Sequence, residues 1–426
     1  MVAATKNRIE EPRVAAGSPA PLPRIMYVAY PSSLTLRSAN AVQTYATVAA
    51  LQAGAPDCAV VIPRFAFRPS AFGALGATHL LRLPFNAGRH LLRSVCWSYL
   101  ERTWFALRVL LHIAGERLRR RQPDVVYVRD IVCAVWLALV LPRFRTAVVF
   151  EMHDREATNP SANSGPVARW LARRFDAIAV RHASGVVSLT NAFLPEVRAL
   201  MERDGRTPLV VIPDAYDDNV FRPQGRAEAR AALDPAIPPD RPVIAYTGLT
   251  FAYHGVDTLV DACAIVRATF PSVLLLLVGG RDAERATMAE RAARCGLSGN
   301  IRIVPPVPSR EIPLYLAAAD LLVIPGTVTN TSASPLKLFE YAAMERPIVA
   351  TDLAALREVI PADAARYVLP GDPAAMAAGI IRVLTHPDEA AEIAVRARQA
   401  VAAHTYTHRA SAILAFCRQM CEYARE

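Results

Sequence analysis

The sequence almost lacks lysine. Only Lys6 and Lys337 are lysines, so 46 of the 48 basic residues are arginine. A lysine ammonium is a compact charge that rotates to meet several acceptors, whereas an arginine guanidinium is a rigid planar fork. Lys337 is the one ammonium outside the N-terminal segment, and this singles it out as a candidate phosphate-binding residue.

Long apolar segments are missing as well. The longest runs, such as 131–141, are too short to span a bilayer, and residues 1–23 hold no apolar stretch of the kind a secretion signal needs. The seven cysteines are odd in number and scattered, which is typical of reduced thiols in the cytosol. These absences predict a cytoplasmic protein, soluble or peripheral to a membrane, with a disordered tail over residues 1–23.

Cofactor motifs are sparse. No G-x-G-x-x-G follows the first predicted strand, which argues against a nicotinamide or flavin cofactor. His404 and His408 lie four apart, as do Cys417 and Cys421, a spacing that can bind zinc. Small thiols on the packed face of a helix over about 407–424 explain that spacing equally well. We therefore expect no metal and no other cofactor.

The bulk composition describes a well-buried protein with an acidic partner. A chain of 426 residues with 53% hydrophobic and 20% charged residues is longer than one core usually supports, so two domains are expected. The net charge of +10 favours nucleotide phosphates, nucleic acid or an anionic membrane surface as partner.

Short apolar strands alternate with helices through most of the chain. This alternation predicts an α/β fold in which helices cover both faces of parallel sheets. The composition shifts to arginine, alanine, aspartate and proline over 221–241, which we interpret as the connection between two such units. A basic helical insertion over about 64–122 interrupts the first unit.

Three polar residues of the first half follow predicted strands. Asn40 lies in the loop after the first strand, Arg129 follows the strand 124–128, and His153 follows the strand 147–150. Catalytic groups of open parallel sheets collect at such strand ends. A lone histidine is more often structural, so both readings of His153 stay open.

The segment 331–352 predicts a helix that begins at a phosphate site. Ser334 is a good cap, Pro335 suits the first helical position, and the residues after it favour a helix. Lys337 and Glu340 are three apart and share one face, next to free amides that attract phosphate. Glu340 can accept two hydrogen bonds from a sugar diol. An ordinary surface ion pair between Lys337 and Glu340 is the alternative.

The segment from Arg89 to Arg121 predicts a long helix that mixes arginines with leucines and aromatic residues. Such a helix can lie in the headgroup region of an anionic membrane. Two arginine-decorated helices packed on the domain would give the same composition, and both interpretations stay open.

Several segments in a fixed order resemble the retaining glycosyltransferases of family 4, also called glycosyl transferases group 1. The resemblance is strongest over 243–352 and weaker from residue 24 onward. The segments that carry it are Tyr246-Thr-Gly-Leu, His254-Gly-Val-Asp-Thr-Leu, Leu277-Val-Gly-Gly, Ala319-Asp-Leu-Leu-Val-Ile-Pro, Ser334-Pro-Leu-Lys-Leu-Phe-Glu-Tyr and, in the first half, Pro213-Asp-Ala-Tyr-Asp.

The resemblance implies the GT-B fold, in which two Rossmann-like parallel-sheet domains face a cleft and a C-terminal helix crosses back. The implied boundaries are 24–225 for the acceptor domain, 226–400 for the donor domain and 401–426 for the crossing helix. The implied reaction moves a sugar from a nucleotide-diphosphate sugar to an acceptor, with no metal and no nucleic acid. A lipid-linked or cell-surface glycan is the expected acceptor, at the inner face of a membrane.

The resemblance also assigns roles to residues. Lys337 and the amides at Leu336 would neutralise the leaving diphosphate, and Glu340 would hold the ribose hydroxyls. Gly248 would let the phosphates approach, and Val304 would lie beside the nucleobase. The remaining implied donor residues are Leu249, Ser332 and Pro335; the implied catalytic residues are Lys337, His153 and His254; the implied acceptor residues are Asn40, Arg129 and His153.

Two positions depart from the family pattern. Ser332 stands where the family motif E-x7-E begins with a glutamate that contacts the donor sugar, and His254 replaces the usual basic residue before Gly255. At neutral pH a histidine carries less charge than a lysine. Two alternatives therefore accompany the transferase: a non-catalytic nucleotide-binding or scaffolding subunit, and a sugar-nucleotide epimerase.

Overall fold

Two parallel sheets organise the chain. The computed structural model describes residues 22–31, 33–36, 38–64, 69–83, 94–158, 166–201, 207–248, 254–326 and 336–424. These residues form two α/β units with helices on both faces of each sheet. The two parallel sheets expected from the alternation of strands and helices are confirmed.

The first unit contains a seven-stranded parallel sheet in the order β3-β2-β1-β4-β5-β6-β7. Its central strands read as unbroken apolar runs because helices cover both of their faces. The strands are β1 Ile25–Val28, β2 Ala59–Arg64, β3 Thr78–Leu81, β4 Val125–Val128, β5 Ala147–Met152, β6 Gly185–Ser188 and β7 Leu209–Val211. The helices are α1 Ala39–Gly54, α2 Ser94–Leu118, α3 Ile131–Val140, α4 Pro166–His182 and α5 Leu194–Leu200.

The second unit contains a six-stranded parallel sheet in the order β10-β9-β8-β11-β12-β13. Its strands are β8 Val243–Thr247, β9 Leu274–Val278, β10 Ile301–Val304, β11 Leu321–Ile324, β12 Ile348–Thr351 and β13 Arg366–Val368. Its helices are α6 Arg226–Ala232, α7 Val256–Thr269, α8 Asp282–Arg294, α9 Ile312–Ala317, α10 Leu336–Ala343, α11 Ala354–Val359, α12 Pro373–Thr385 and α13 Pro387–Val401.

Each sheet reverses its strand order once, and that reversal locates a binding crevice. The reversal lies between β1 and β4 in the first sheet and between β8 and β11 in the second. Ligands of open α/β sheets bind outside the carboxyl ends of the strands at this point. Arg129 directly follows β4 and Gly248 directly follows β8, so both lie at a reversal point.

The last helix returns to the first unit. This helix, α14 (Tyr406–Tyr423), buries Ile413, Cys417 and Met420 in the core that covers β1 and β2. The two units are also in contact, because the backbone amide of Asn191 donates to the Glu358 carboxylate at 2.6 Å. Asn191 follows β6 and Glu358 lies in α11 after β12, so the carboxyl edges of the two sheets face each other across a cleft.

The prediction of a helical insertion over 64–122 was wrong in one respect, because this segment contributes the edge strand β3 before α2. The segment 221–241 lies between the two sheets, as expected of a connection. It contains α6, whose buried Arg230 pairs with Asp320 at 2.7 Å. Residues 1–21 of the predicted tail and residues 84–93, with Arg89, lie outside the described residues.

The described residues hold no helix that combines the length and the apolar character needed to cross a bilayer. Cys417 and Cys421 form no disulfide within the described residues and are buried among apolar neighbours. Within the described ranges no three histidine, cysteine, aspartate or glutamate residues are grouped to hold a metal ion.

Candidate active site

The backbone is closely packed at the ends of three adjacent strands of the second sheet, where Gly248 remains exposed. The Gly248 amide donates to the Val278 carbonyl at 2.8 Å, and the Gly279 amide donates to the Val304 carbonyl at 2.9 Å. A Cβ on Gly279 would lie 2.4 Å from the Gly248 carbonyl oxygen, so only glycine fits there. Val304, predicted to flank a nucleobase, is half-buried at the end of β10.

Lys337 is held over this glycine edge. Its Nζ donates to the Tyr246 hydroxyl at 2.8 Å and lies 4.2 Å from the centroid of the Tyr246 ring. Gly248 has a φ of +124°, and a Cβ there would meet Lys337 Nζ at 3.3 Å. The ammonium therefore lies beside the exposed Gly248 at the reversal point between β8 and β11.

The helix that carries Lys337 is fixed to the sheet by its buried face. In α10, Leu338, Phe339 and Tyr341 are fully buried. The Thr247 amide donates to the Tyr341 hydroxyl at 2.7 Å, which ties α10 to the end of β8. This anchoring directs the opposite face, with the half-buried residues Lys337 and Glu340, toward the cleft.

The charges on this face are only partly compensated. Burial lowers the pKa of Lys337 to about 7, an effect that Glu340 opposes, and burial raises the pKa of Glu340 to about 7. Among the described residues no ion pair joins the two side chains. The surface ion pair considered from the sequence is therefore absent, and Lys337 is oriented by Tyr246 instead.

His254 lies near the same ammonium at the start of α7. Burial and the neighbouring Lys337 charge lower the pKa of His254 to about 4, so the ring is neutral at pH 7. A neutral imidazole can still donate one hydrogen bond to a phosphate oxygen. The structure thus brings together Gly248, Lys337 and Glu340 from the predicted donor set and His254 from the predicted catalytic set, with Leu336 at the first position of α10.

Arg129 and His153 meet at the edge of the first sheet. Arg129 Nε lies 3.0 Å from His153 Nε2, and His153 Nε2 also lies 2.6 Å from Glu151 Oε1. Because a neutral imidazole nitrogen either donates or accepts, Nε2 serves one of these partners at a time. Burial lowers the pKa of His153 to about 4. The ring remains 22% exposed and is the part of this pair that the cleft can reach.

The guanidinium of Arg129 is committed to protein partners. It donates to Gln43 Oε1 and Thr44 Oγ1, both at 2.5 Å, and pairs with Glu151 at 3.0 Å. Only 3% of its side chain is exposed. Arg129 therefore holds other side chains in position, and its predicted contact with an acceptor stays a prediction.

Glu151 and Arg409 form the centre of this cluster, and sequence reasoning missed both. Arg409 of α14 donates to Glu151 Oε2 at 2.6 Å, and its other amino group donates to the Ile212 carbonyl at 2.8 Å. Glu151 is fully buried and also accepts a hydrogen bond from Tyr127. Burial would raise the pKa of Glu151, but the Arg409 and Arg129 charges hold it well below the usual range.

Asp214 and Tyr406 lie between the two clusters. Burial raises the pKa of Asp214 to about 7, although Arg409 opposes the shift. In the described part of the chain, neither Asp214 Oδ1 nor the buried Tyr406 hydroxyl has a hydrogen-bond partner. Burial raises the pKa of the Tyr406 hydroxyl well above its usual range, and the Asp214 and Glu340 charges add to that shift.

The remaining predicted site residues fall in two groups. Asn40 is exposed near the start of α1, where its carbonyl accepts from Thr44 Oγ1 at 2.7 Å. Leu249, Ser332 and Pro335 lie outside the described residues. One cleft edge therefore offers an ammonium and a carboxylate, which can bind phosphate and hydroxyls, and the other offers the half-buried His153.

Comparison with known proteins is consistent with this geometry. Residues 241–386 match the family described as glycosyl transferases group 1. The chain is 28% identical over 325 residues to a D-inositol 3-phosphate glycosyltransferase of Nocardia farcinica, covering 72% of this chain and 70% of that protein. It is 28% identical to such an enzyme of Thermobispora bispora over 47% of this chain, and the match spans about half, 49%, of that relative's length.

Solved structures show the same architecture. The Anabaena protein HepE in complex with UDP superposes with a TM-score of 0.70 over 93% of this chain and 100% of HepE, at 17% identity. HepE has also been solved in complex with UDP-glucose. The likeness identifies the fold as GT-B, two Rossmann-like units facing a cleft, and so confirms the fold that the sequence segments implied.

Proposed function

We propose that this protein is a retaining glycosyltransferase of family 4. It has the GT-B fold, and its residues 241–386 match the family described as glycosyl transferases group 1. It moves a sugar from a nucleotide-diphosphate sugar to an acceptor. The family match and the named glycosyltransferase relatives support the transferase class. Retention at the anomeric carbon rests on the resemblance of the segments around Lys337 and Glu340 to that family.

One observation carries the proposal. Lys337, the one lysine of the chain outside its first residues, is held 2.8 Å from Tyr246 beside Gly248, at the reversal point of the second sheet. A diphosphate placed there meets an ammonium beside the exposed backbone of Gly248. Stabilising the negative charge of a leaving nucleoside diphosphate in this way needs no metal ion. HepE binds UDP, so UDP-sugars are the first donors to test.

The residues of the cleft take the following roles in this proposal. Lys337 donates to the diphosphate, and neutral His254 adds one hydrogen bond to a phosphate oxygen. Glu340 accepts from the ribose hydroxyls, and Val304 flanks the nucleobase. His153, held by Arg129 and Glu151, faces the acceptor side together with Asn40.

Two measurements test the proposal. Thermal unfolding in the presence of a panel of sugar nucleotides should identify a donor, because a ligand bound to the folded state raises the unfolding temperature. With that donor, nucleoside diphosphate release should accelerate when an acceptor is added. Donor binding without any release would support the non-catalytic subunit, and rapid release that no acceptor accelerates would support the epimerase; either result overturns the transferase.

We propose further that the acceptor is a glycan, lipid-linked or on the cell surface, and that the enzyme works at the inner, cytoplasmic face of a membrane. Reduced thiols and a net charge of +10 are compatible with that location. The proposal requires a membrane-binding surface on the unit that receives the acceptor.

A further inference from the structure

Helix α2 exposes a row of large apolar side chains to solvent. The row, here called the apolar stripe, consists of Leu100, Trp104, Leu107, Leu111 and Leu118. These residues follow one another at intervals of four, three, four and seven positions, so they lie on one face of the helix, within a strip less than a quarter of its circumference. Leu111 and Leu118 are the most exposed, at 69% and 88%.

The stripe is not the face that holds α2 in the fold. Phe105, Ala106, Val109 and Ile113 point the other way and are buried in the core between α2, α3 and the first sheet. The helix is therefore apolar on two opposite faces. A helix that is apolar on both sides is usually buried on both sides. The exposed apolar face therefore indicates a surface that binds another molecule or a membrane.

Arginines surround the C-terminal end of the stripe. Arg117 lies 4.9 Å from the ring centroid of Phe144, whose side chain is itself exposed. Glu116 pairs with Arg119 at 2.9 Å and so offsets one of these charges. The exposed arginines at this end are Arg117, Arg119, Arg120, Arg121, Arg143 and Arg145.

We propose that the apolar stripe of α2, together with Phe144 and the arginines around it, binds an anionic membrane surface. The helix has 25 residues, roughly 37 Å of length, which lies flat along a lipid surface. Its apolar side chains enter the region between headgroups and acyl chains, and the arginines bind the anionic headgroups. An apolar protein surface would not complement the charge of six exposed arginines. An anionic bilayer complements both the arginines, through its headgroups, and the apolar stripe, through its acyl chains.

The orientation of α2 places this surface next to the cleft. Arg102, near the N-terminal end of α2, pairs with Asp130 at 2.7 Å and with Glu156 at 2.9 Å. Asp130 lies just after β4, so the Leu100 end of the stripe is on the cleft side of the first unit. A lipid-anchored acceptor reaches the first-sheet edge from that side.

The surface is tested with the full chain and lipid vesicles. Wild-type protein should co-sediment with vesicles containing phosphatidylglycerol at low salt, and the bound fraction should fall as salt is raised or as the anionic lipid is replaced by phosphatidylcholine. The double variant Leu107→Gln/Leu111→Gln and the triple variant Arg119→Gln/Arg120→Gln/Arg121→Gln should each bind at least tenfold more weakly. The matched control is Ile265→Gln/Val395→Gln, two exposed apolar residues of the second unit.

The outcomes separate the membrane from other occupants. Unchanged unfolding temperatures for the variants, with binding lost only when the stripe or the arginines are altered, support the proposal. Absence of vesicle binding at low salt overturns it, as does equal loss in the control. A stable wild-type dimer that the stripe variant dissociates would assign the surface to a second copy. If the protein binds vesicles but turns over no sugar nucleotide, the membrane-binding proposal stands and the proposed transferase function is wrong.

Discussion

Lys337 Nζ donates a hydrogen bond of 2.8 Å to the Tyr246 hydroxyl while lying 4.2 Å from the centroid of the same ring. The ring face and the hydroxyl together hold a half-buried ammonium in place without an anionic partner. An ammonium whose charge is incompletely neutralised by the protein can bind an anionic ligand. In the proposed enzyme that anion is the diphosphate of the donor.

Glu340 should determine how tightly the donor is held. Charge-assisted hydrogen bonds to the ribose hydroxyls contribute about 1.5 to 3 kcal/mol each, so Glu340→Ala should weaken donor binding roughly ten- to a hundredfold or more. The change appears in the donor KM and Kd. Glu389→Ala is the control, because Glu389 pairs with Arg382 on α12 and α13 away from the cleft. A Glu340 variant with wild-type donor affinity would refute the ribose contact.

Donor affinity should depend on pH through Lys337. Its pKa is lowered to about 7, so the free enzyme loses this positive charge, and with it donor affinity, as the pH rises through 7. The affinity should decline by up to about tenfold per pH unit above that value. Titration of donor binding between pH 6 and pH 9 measures the decline.

Lys337→Arg is the matched variant for this titration, because an arginine stays charged throughout the range. Its donor affinity can be lower at every pH, since the planar fork does not reproduce the ammonium geometry, but the alkaline decline should disappear. An identical alkaline decline in the arginine variant would mean that another group titrates.

The sequence predicts the fold and the helix that carries Lys337 and Glu340 because both depend on local patterns, while the donor-binding role of these residues stays a prediction. Apolar runs of four to six residues mark the strands, and the spacing of Lys337 and Glu340 places them on one face of a helix that the structure confirms over Leu336–Ala343. Tyr246 was not predicted as the partner of Lys337, because the two lie 91 positions apart. No local spacing encodes such a contact.

The centre of the first-sheet cluster was missed for the same reason. Arg409 and Glu151 are separated by 258 positions in the sequence. The chain has 46 arginines, and no sequence motif around Arg409 distinguishes it from the others. Glu151 did carry a signal: an acidic residue at the end of an apolar strand and two positions before His153 is placed to orient that histidine. Burial of a carboxylate requires a cation, and only the folded chain shows which arginine supplies it.

Arg409 should be important for stability. Removing one partner of a buried ion pair leaves the other charge uncompensated, which typically costs about 3 to 5 kcal/mol. Arg409→Met removes one of two arginines that pair with Glu151, and also the hydrogen bond to the Ile212 carbonyl, so it should lower the free energy of unfolding even though Arg129 still offsets part of the carboxylate charge. Arg418→Met, an exposed position on α14, should change stability by less than about 0.5 kcal/mol. Denaturation of the variants at pH 7 measures these differences, and equal effects at the two arginines would contradict the buried pair.

Asp214 should destabilise the folded protein at alkaline pH. Its pKa is raised to about 7, so the folded state retains a proton that the unfolded state releases near pH 4. That contribution is fully present below about pH 4 and is lost as the pH rises through 7. Asp214→Asn removes the dependence, so the unfolding temperature of the variant relative to wild type should increase between pH 5 and pH 8. A difference that stays constant with pH would show that Asp214 titrates normally.

The proposed contact between Lys337 and the leaving diphosphate is tested most directly by a binding cycle with the matching nucleoside diphosphate and monophosphate. Both ligands are titrated calorimetrically into wild type and Lys337→Ala. The variant should bind the diphosphate at least tenfold more weakly, as expected for one charge-assisted hydrogen bond, and should bind the monophosphate within about twofold of wild type. Equal weakening of both ligands, or no weakening of either, would contradict the contact.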